Sequence, residues 1–466
     1  MRVMRFPAIQ IPLALFLLGA ACRPAGSPAS PTLVLQGGTL INPDAAPIPN
    51  ASITIERDRI TCAGTAAACP APAGARVMDL AGAYVGPGLV DAHVHYSQTG
   101  WVDGRPDAVN LRALYPYDSV IGFLASHPER FHRAYLCSGV TSVFDVGGFP
   151  WTLDLARKTK ETSDAPRVVA AGPLLSTIQV PPDMMGAFAF MKDEAAVRAA
   201  VRAQQAGGAE AVKVWYIPVA DSLRRHAKAM LLVAADETRK AGLRLVVHAT
   251  MPTLAREAVE AGAAVLVHEV DSDTVNAELI EVIKRAGTIV IPTVSVYSGY
   301  ADVLLGRSPG ARYPLDCVDS VTRRKLETVL PDSLRARGKA FWESPMAARM
   351  QSNVAKNLKR MYEAGIPIAM GTDGGNPGTA HGPSVFGEME AMQQAGMPAR
   401  AVFASATIVA ARALALEKEI GSVEPGKRAD LAVFGADPTV DARNARQVRF
   451  VVRNGVIQVH DKLIHH

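Results

Sequence analysis

Apolar and polar positions change rhythm twice along the chain. From 33 to 85 they alternate over short stretches broken by turn residues, as in Leu33-Val34-Leu35, Gly37-Gly38, Ile53-Thr54-Ile55 and Asp58-Arg59. That pattern predicts strands and hairpins with no helix among them. After Pro87-Gly88, short apolar runs alternate with amphipathic stretches of helical period. Runs at 89–92, 141–144, 167–171, 211–214, 243–247, 264–267, 288–291 and 367–370 predict eight strands. Helices are predicted at 129–137, 194–205, 227–241, 253–261, 275–286 and 348–364, several closed by a glycine. Eight strand-helix units in about 300 residues predict an α/β fold, a (β/α)8 TIM barrel over 88–420.

Two stretches depart from that rhythm. Residues 294–345 form a long insertion rich in Arg, Pro and Asp, expected to be a functional lid rather than a slack loop. Past strand eight, 383–416 reads as helical, and strands return at 429–434, 448–453 and 456–459. Neither 33–87 nor 421–466 carries a complete core alone, so the two segments are expected to pair into a small β-sandwich domain flanking the barrel.

With 49% hydrophobic, 20% charged and 6% aromatic residues in a chain of 466, the balance is globular and excludes a disordered or fibrous protein. The net charge is only +5 and no Lys/Arg block is interleaved with aromatics, which argues against nucleic acid as a partner. Residues 1–21 read as a signal peptide: Arg2 and Arg5 precede an apolar run at 9–18 that is too short to span a membrane, followed by Gly19-Ala20-Ala21-Cys22. Small residues leading into a cysteine resemble a bacterial lipobox, in which Cys22 would be lipidated and anchor the chain to a membrane through a tether at 22–32. Simple cleavage, with Cys22 left unmodified, is the alternative. Either way the expectation is export, to the bacterial periplasm or to the outer membrane as a lipoprotein. In such an oxidising compartment Cys62 and Cys69, on either side of a Gly/Ala turn, are expected to close a small disulfide loop. Cys137, in an apolar helical stretch, is expected to be a buried thiol, and Cys317 is left undecided.

The chemistry gathers where the predicted strands end, the rim that carries active sites in barrels of this kind. His93 and His95 end strand one, and period two along a strand points both the same way, able to hold one metal ion. Strand four contributes Lys213, strand five His248, strand six His268 and strand eight Asp373. One histidine after an apolar strand is ordinarily a core residue, but four with an acid after the last strand point to a metal site. His127, His132 and His226 lie in polar helical surroundings and are expected at the surface. Lys213 does not fit as an ammonium, which cannot ligate a cation and is costly to bury beside one. A neutral amine carboxylated by CO2 would give an anion able to bridge two metals; a salt bridge to Glu210 or a rim carboxylate is the other reading.

These marks, with Gly88-Leu89-Val90-Asp91-Ala92-His93-Val94-His95, Gly139-Val140-Thr141-Ser142, Asp145, Gly371-Thr372-Asp373 and the closing 421–431 segment, resemble the amidohydrolase superfamily in its imidazolonepropionase-related and prolidase-like branch. The resemblance covers nearly everything after the leader. It implies a binuclear centre: His93, His95 and Asp373 on the more buried ion, His248 and His268 on the more exposed one, and carboxylated Lys213 between them. It also implies a metal-bridging hydroxide as nucleophile and Asp373 as proton shuttle. Zn2+ is the default for such ligands, with Mn, Co or Fe as alternatives. Deaminase-type relatives carry a glutamate shortly after the strand-five histidine; Ala249-Thr250-Met251 offers none, which argues against deamination. Thr250 also stands where dipeptidase-like members often have a tyrosine.

The expected activity is hydrolysis of a C–N bond in a small molecule such as a dipeptide, an N-acyl amino acid or a cyclic amide. Lactone, ester or phosphotriester cleavage is the alternative on the same site, and a non-catalytic ligand-binding lipoprotein a further one, although a receptor needs no proton shuttle. Aromatics near the strand ends, Trp101, Trp151, Trp215, Tyr96, Tyr216 and Tyr297, either line a pocket or pack the loops together. His381 is a candidate donor to substrate, and Arg307, Arg312, Arg323 and Arg324 either recognise a carboxylate or form a solvated lid. A homo-oligomer is left open.

Overall fold

The computed structural model describes residues 32–217 and 219–459. At its centre, strand one, Leu89–Val94, and strand two, Val140–Asp145, are buried along their whole lengths. Near-continuous apolar runs of this kind suit a sheet covered on both faces. Strands one, two and three, the last Arg167–Ala170, pair in parallel. Strand three breaks at Gly172 and Pro173, then resumes as Leu174–Ser176 and pairs in parallel with strand four, Ala211–Trp215. Strand five, Arg244–His248, strand six, Val265–Val267, and strand seven, Ile289–Ile291, follow in parallel order.

Strand eight, at 367–370, closes the ring. Ala369 N–H donates to Val290 O at 2.9 Å on one side, and Ala92 N–H donates to Met370 O at 3.0 Å on the other. Glu210 N–H bonds Ala170 O at 3.1 Å across the remaining seam. The closed ring follows chain order, the (β/α)8 arrangement. Local chemistry supports the outer helices: the Asn276 side chain accepts from Leu279 N–H at the start of Ala277–Ala286, and Gly287 ends it in the left-handed region at φ 67°. Among the described residues, no helix is long and apolar enough to cross a membrane.

Beside the barrel lie two sheets. One joins Leu33–Gln36, Ala51–Glu56, Arg59–Thr65 and Arg76–Asp79. The other mixes both ends of the chain, because Tyr84–Pro87 pairs antiparallel with Leu431–Phe434, which pairs with Val448–Arg453. The inward side chains of both sheets, among them Leu35, Ile53, Val85, Leu431 and Val452, form one core, the sandwich that neither segment completes alone. A disulfide joins Cys62, within Arg59–Thr65, to Cys69 just past it.

The insertion is itself helical, with Val294–Leu305, Ser320–Leu326 and Asp332–Trp342 ahead of the barrel helix Pro345–Glu363. It is fastened to the barrel by Arg130–Asp319 at 2.6 Å and Lys325–Asp103 at 2.5 Å. A disulfide between Cys137 and Cys317 adds a covalent tie across 180 residues. Cys137 is therefore not the free buried thiol expected from its apolar helix; folding brings the insertion over that helix, a proximity that local pattern does not carry. The leader, Cys22 and the tether lie outside the described residues.

Candidate metal centre

The first barrel strand places His93 and His95 two residues apart, and both imidazoles converge on one carboxylate oxygen. His93 Nε2 lies 3.2 Å and His95 Nε2 3.1 Å from Asp373 Oδ1. His268 Nδ1 stands 4.0 Å from Asp373 Oδ2, and the rings of His268 and His248 have centroids 4.4 Å apart. Ligand atoms of His93, His268 and Asp373 all fall within 4.8 Å of one another. Lys213, His248 and His268 line the same cavity as His95 and Asp373.

Backbone conformation aims these groups. His268 follows strand six at φ 67°, Thr293 follows strand seven at φ 47°, and Asp373 follows strand eight at φ 58°. Non-glycine residues seldom occupy this left-handed region, and such strain concentrates at functional sites. Close approach of the strands needs Gly371, where a Cβ would stand 2.5 Å from Ile291 Cγ2 and 2.8 Å from His93 Cβ.

Protons decide what the cluster can hold. His95 Nδ1 lies 2.6 Å from Gly147 O, and since a carbonyl only accepts, Nδ1 carries the hydrogen. That bond turns Nε2 toward Asp373 Oδ1. Burial pushes the imidazoles of His93 and His248 well below their ordinary pKa, and that of His268 to about 3. Among the described residues, neither His93 ring nitrogen nor Asp373 Oδ1 has a hydrogen-bond partner, a costly arrangement for buried polar atoms. Lone pairs from neutral imidazoles and a carboxylate facing a common point fit a divalent cation. Lys213, 1% exposed, is brought down to about 7 by burial. Its alternative partner Glu210 is pushed up by burial, against which the cations acting on it are Lys160 and Arg167.

Supporting groups to which the sequence reading assigned no role hold these ligands. Asp91 accepts from Thr372 N–H at 2.9 Å and Thr372 Oγ1–H at 2.6 Å, tying strand one to the loop of Asp373. Asp145 accepts from Tyr96 N–H and Gly147 N–H at 2.8 and 3.2 Å, fixing the carbonyl that orients His95. Thr293 Oγ1 bonds His268 Nδ1 at 2.8 Å. Such partners set ring orientation in metal sites. Asp91 was within reach of sequence reasoning, because it lies two residues before His93 on the same strand face; Thr293 carried no such signal.

Above the cluster is a cavity of about 340 Å³. Tyr297 lines it and donates its hydroxyl to Asp271 at 2.7 Å; Trp215 lines it edge-on to His248. Other residues considered for substrate contact lie elsewhere. The Tyr216 hydroxyl bonds Glu257 at 2.5 Å, since the residue after Trp215 turns to the opposite face. Trp101 is buried under the insertion with Val102, Leu111 and Leu304. Trp151 begins the helix Trp151–Thr159 and packs into the core between the barrel and its helices. His381 is held between the Tyr135 hydroxyl and Gln98 O, with its ring 3.7 Å from that of Phe131, and so buttresses the Asp373 loop from behind. His132, expected at the surface, is buried, with Nδ1 3.1 Å from the Tyr96 hydroxyl.

The family model of the amidohydrolase family matches residues 84–458. An imidazolonepropionase of Rhizorhabdus wittichii is 27% identical over 438 residues, which span 88% of this chain and 92% of that protein. Among solved structures, a Xaa-Pro dipeptidase with bound methionine superposes with a TM-score of 0.70 at 22% identity, covering 92% of this chain and 100% of that one. Molinate hydrolase superposes with a TM-score of 0.67 at 22% identity, covering 93% and 96%.

Proposed function

The chain belongs to the amidohydrolase family and is a hydrolase of C–N bonds, and from that premise we propose that it cleaves an amide in a small substrate at the His93, His95, Lys213, His248, His268 and Asp373 cluster. The observation that carries this reading is the convergence of two imidazoles, His93 and His95, on Asp373 Oδ1 at 3.2 and 3.1 Å. His93, His95 and Asp373 would hold one divalent ion, His248 and His268 a second, and Lys213, carboxylated on its neutral amine, would bridge them. When bound, such ions, zinc by default, acidify water and polarise a carbonyl. Asp373, whose Oδ1 has no other partner, accepts the proton of the attacking water and returns it to the departing nitrogen as the C–N bond breaks. Export is part of the proposal, supported by the two disulfides, Cys62–Cys69 and Cys137–Cys317, which suit an oxidising compartment.

A hydrolysis screen of amides, dipeptides, N-acyl amino acids and lactones on metal-loaded protein tests the reading. Cleavage of amides, falling by about 10²–10⁴-fold in Asp373→Asn, is expected. Activity confined to lactones, or an Asp373→Asn variant as active as the parent, would overturn it.

A further inference from the structure

The wall of the cavity is mostly carbon: Leu174, Phe188, Trp215, Ile217, Phe341 and Trp342 face it, the last two supplied by the insertion. Among the described lining residues, the side chains with an ordinary positive charge are Lys213, which belongs to the ligand cluster, and Arg105. Arg105 is already engaged. Its Nε and Nη2 donate to Asp107 Oδ1 and Oδ2 at 2.9 and 2.7 Å, a two-point fork. Its Nη1 donates to Asn376 Oδ1, which also accepts from the Tyr300 hydroxyl at 2.8 Å. Although burial pushes the Asp107 carboxyl up, the guanidinium beside it holds it below its ordinary range, so the pair is ionised and cancels its own charge. Asp107, Asp271 and Asp373 all line the cavity, and an anionic substrate group at this wall would face acidic side chains across a compensated cation.

The insertion brings no free cation to the cavity among its four candidate arginines. Arg307 and Arg312 pair with Asp302 at 3.0 and 2.7 Å. Arg323 pairs with Glu327 at 3.0 Å, and Arg324 is exposed. None of the four lines the cavity. Of the two N–H that Arg105 retains by count of its hydrogens, the Tyr300 oxygen meets one. The remaining donor suits a neutral carbonyl oxygen, which brings no charge for Asp107 to repel.

We infer that the substrate is a neutral, largely apolar amide with no carboxylate beside the scissile bond, and that the Arg105–Asp107 pair is the specificity determinant that excludes carboxylates. This rests on the reading of the cluster as a C–N hydrolase. It turns the choice away from dipeptides and N-acyl amino acids toward arylalkyl or cyclic amides.

The test is a matched pair on the metal-loaded full chain: N-benzoyl-phenylalanine, and N-benzoyl-2-phenylethylamine, which lacks only the carboxylate. The carboxylate-free compound is expected to show a kcat/KM about tenfold higher or more; equal values, or the reverse order, overturn the inference. Asp107→Asn, which leaves Arg105 uncompensated, is expected to move that ratio about tenfold toward the carboxylate, and Arg105→Gln to move it the other way. A folded Asp107→Asn or Arg105→Gln variant whose ratio stays at the parent value removes the pair from the role. Should neither compound be cleaved, the hydrolase reading fails separately, and calorimetric binding of the same two compounds decides the selectivity. Tighter binding of the neutral compound sustains it, whereas equal affinity, preference for the carboxylate, or no binding of the neutral compound at millimolar concentration overturns it.

Discussion

At the scale of single residues, burial sets which groups carry charge. Lys213 at about 7 is about half free amine near neutral pH, the form that can react with CO2. If its carbamate bridges two ions, Lys213→Ala should reduce bound metal, read by elemental analysis of metal-loaded protein, from close to two ions per chain to one or fewer, with activity lost. Two ions and intact activity in that variant would exclude the bridge. His132 shows the same physics away from the centre. Burial holds its imidazole at about 4 against an ordinary 6.5, so the folded chain binds fewer protons than the unfolded chain between those values. The stability it contributes is complete above about 6.5 and is lost as pH falls through about 4, amounting to about 2 kcal/mol between pH 7 and 5. Urea midpoints at those two pH values should therefore differ less in His132→Gln than in the parent; equal differences would show that His132 does not drive acid lability. The histidines also differ in how readable they were. His93 and His95 declared themselves by strand period and position after an apolar run, while His132 sits in the polar-looking stretch Glu129-Arg130-Phe131-His132-Arg133 and meets Tyr96 from a separate element.

At the scale of elements, the barrel strands were legible as apolar runs, several with a chemical group at the end, Val267 running into His268 and Val247 into His248. The insertion was legible only as an interruption. Its helices are held in place by the contacts of Asp319 and Lys325 with Arg130 and Asp103, which no periodicity encodes. The same holds for Cys137–Cys317, whose partners are 180 residues apart. Because the insertion supplies Tyr297, Phe341 and Trp342 to the cavity, this disulfide holds part of the substrate wall against the helix Glu129–Cys137. Cys317→Ser is expected to lower unfolding stability by about 2–4 kcal/mol and to raise KM more than it lowers kcat. A variant with unchanged KM and an unchanged midpoint would mean that the noncovalent ties suffice.

At the scale of the whole molecule, barrel and sandwich are joined by a buried charge as well as by apolar packing. Arg453, on the sandwich strand Val448–Arg453, is fully buried. Its Nη1 bonds Asp430 Oδ1 at 3.1 Å, its Nε bonds Ala165 O at 3.0 Å, and its Nη2 bonds Thr159 O and Lys160 O at 3.0 and 3.2 Å at the C-terminal end of the barrel helix Trp151–Thr159. A cation there satisfies terminal carbonyls that the helix leaves open and meets the negative end of its dipole. Asp430 continues the connection: its backbone oxygen accepts from Gly88 N–H at 2.9 Å, at the entry to strand one and hence to His93. A buried pair of this kind adds little over an apolar substitute, but removing one partner strands the other. Arg453→Met should accordingly lower stability by about 3–5 kcal/mol, while kcat of the folded fraction at low temperature stays at the parent value, because no atom of Arg453 reaches the cavity. The double variant Arg453→Met with Asp430→Asn should recover part of the loss, since no unpaired charge is then buried. A single variant as stable as the parent would mean that the apolar contacts alone join barrel and sandwich; a fall in kcat with stability intact would mean instead that the junction positions strand one and its histidines.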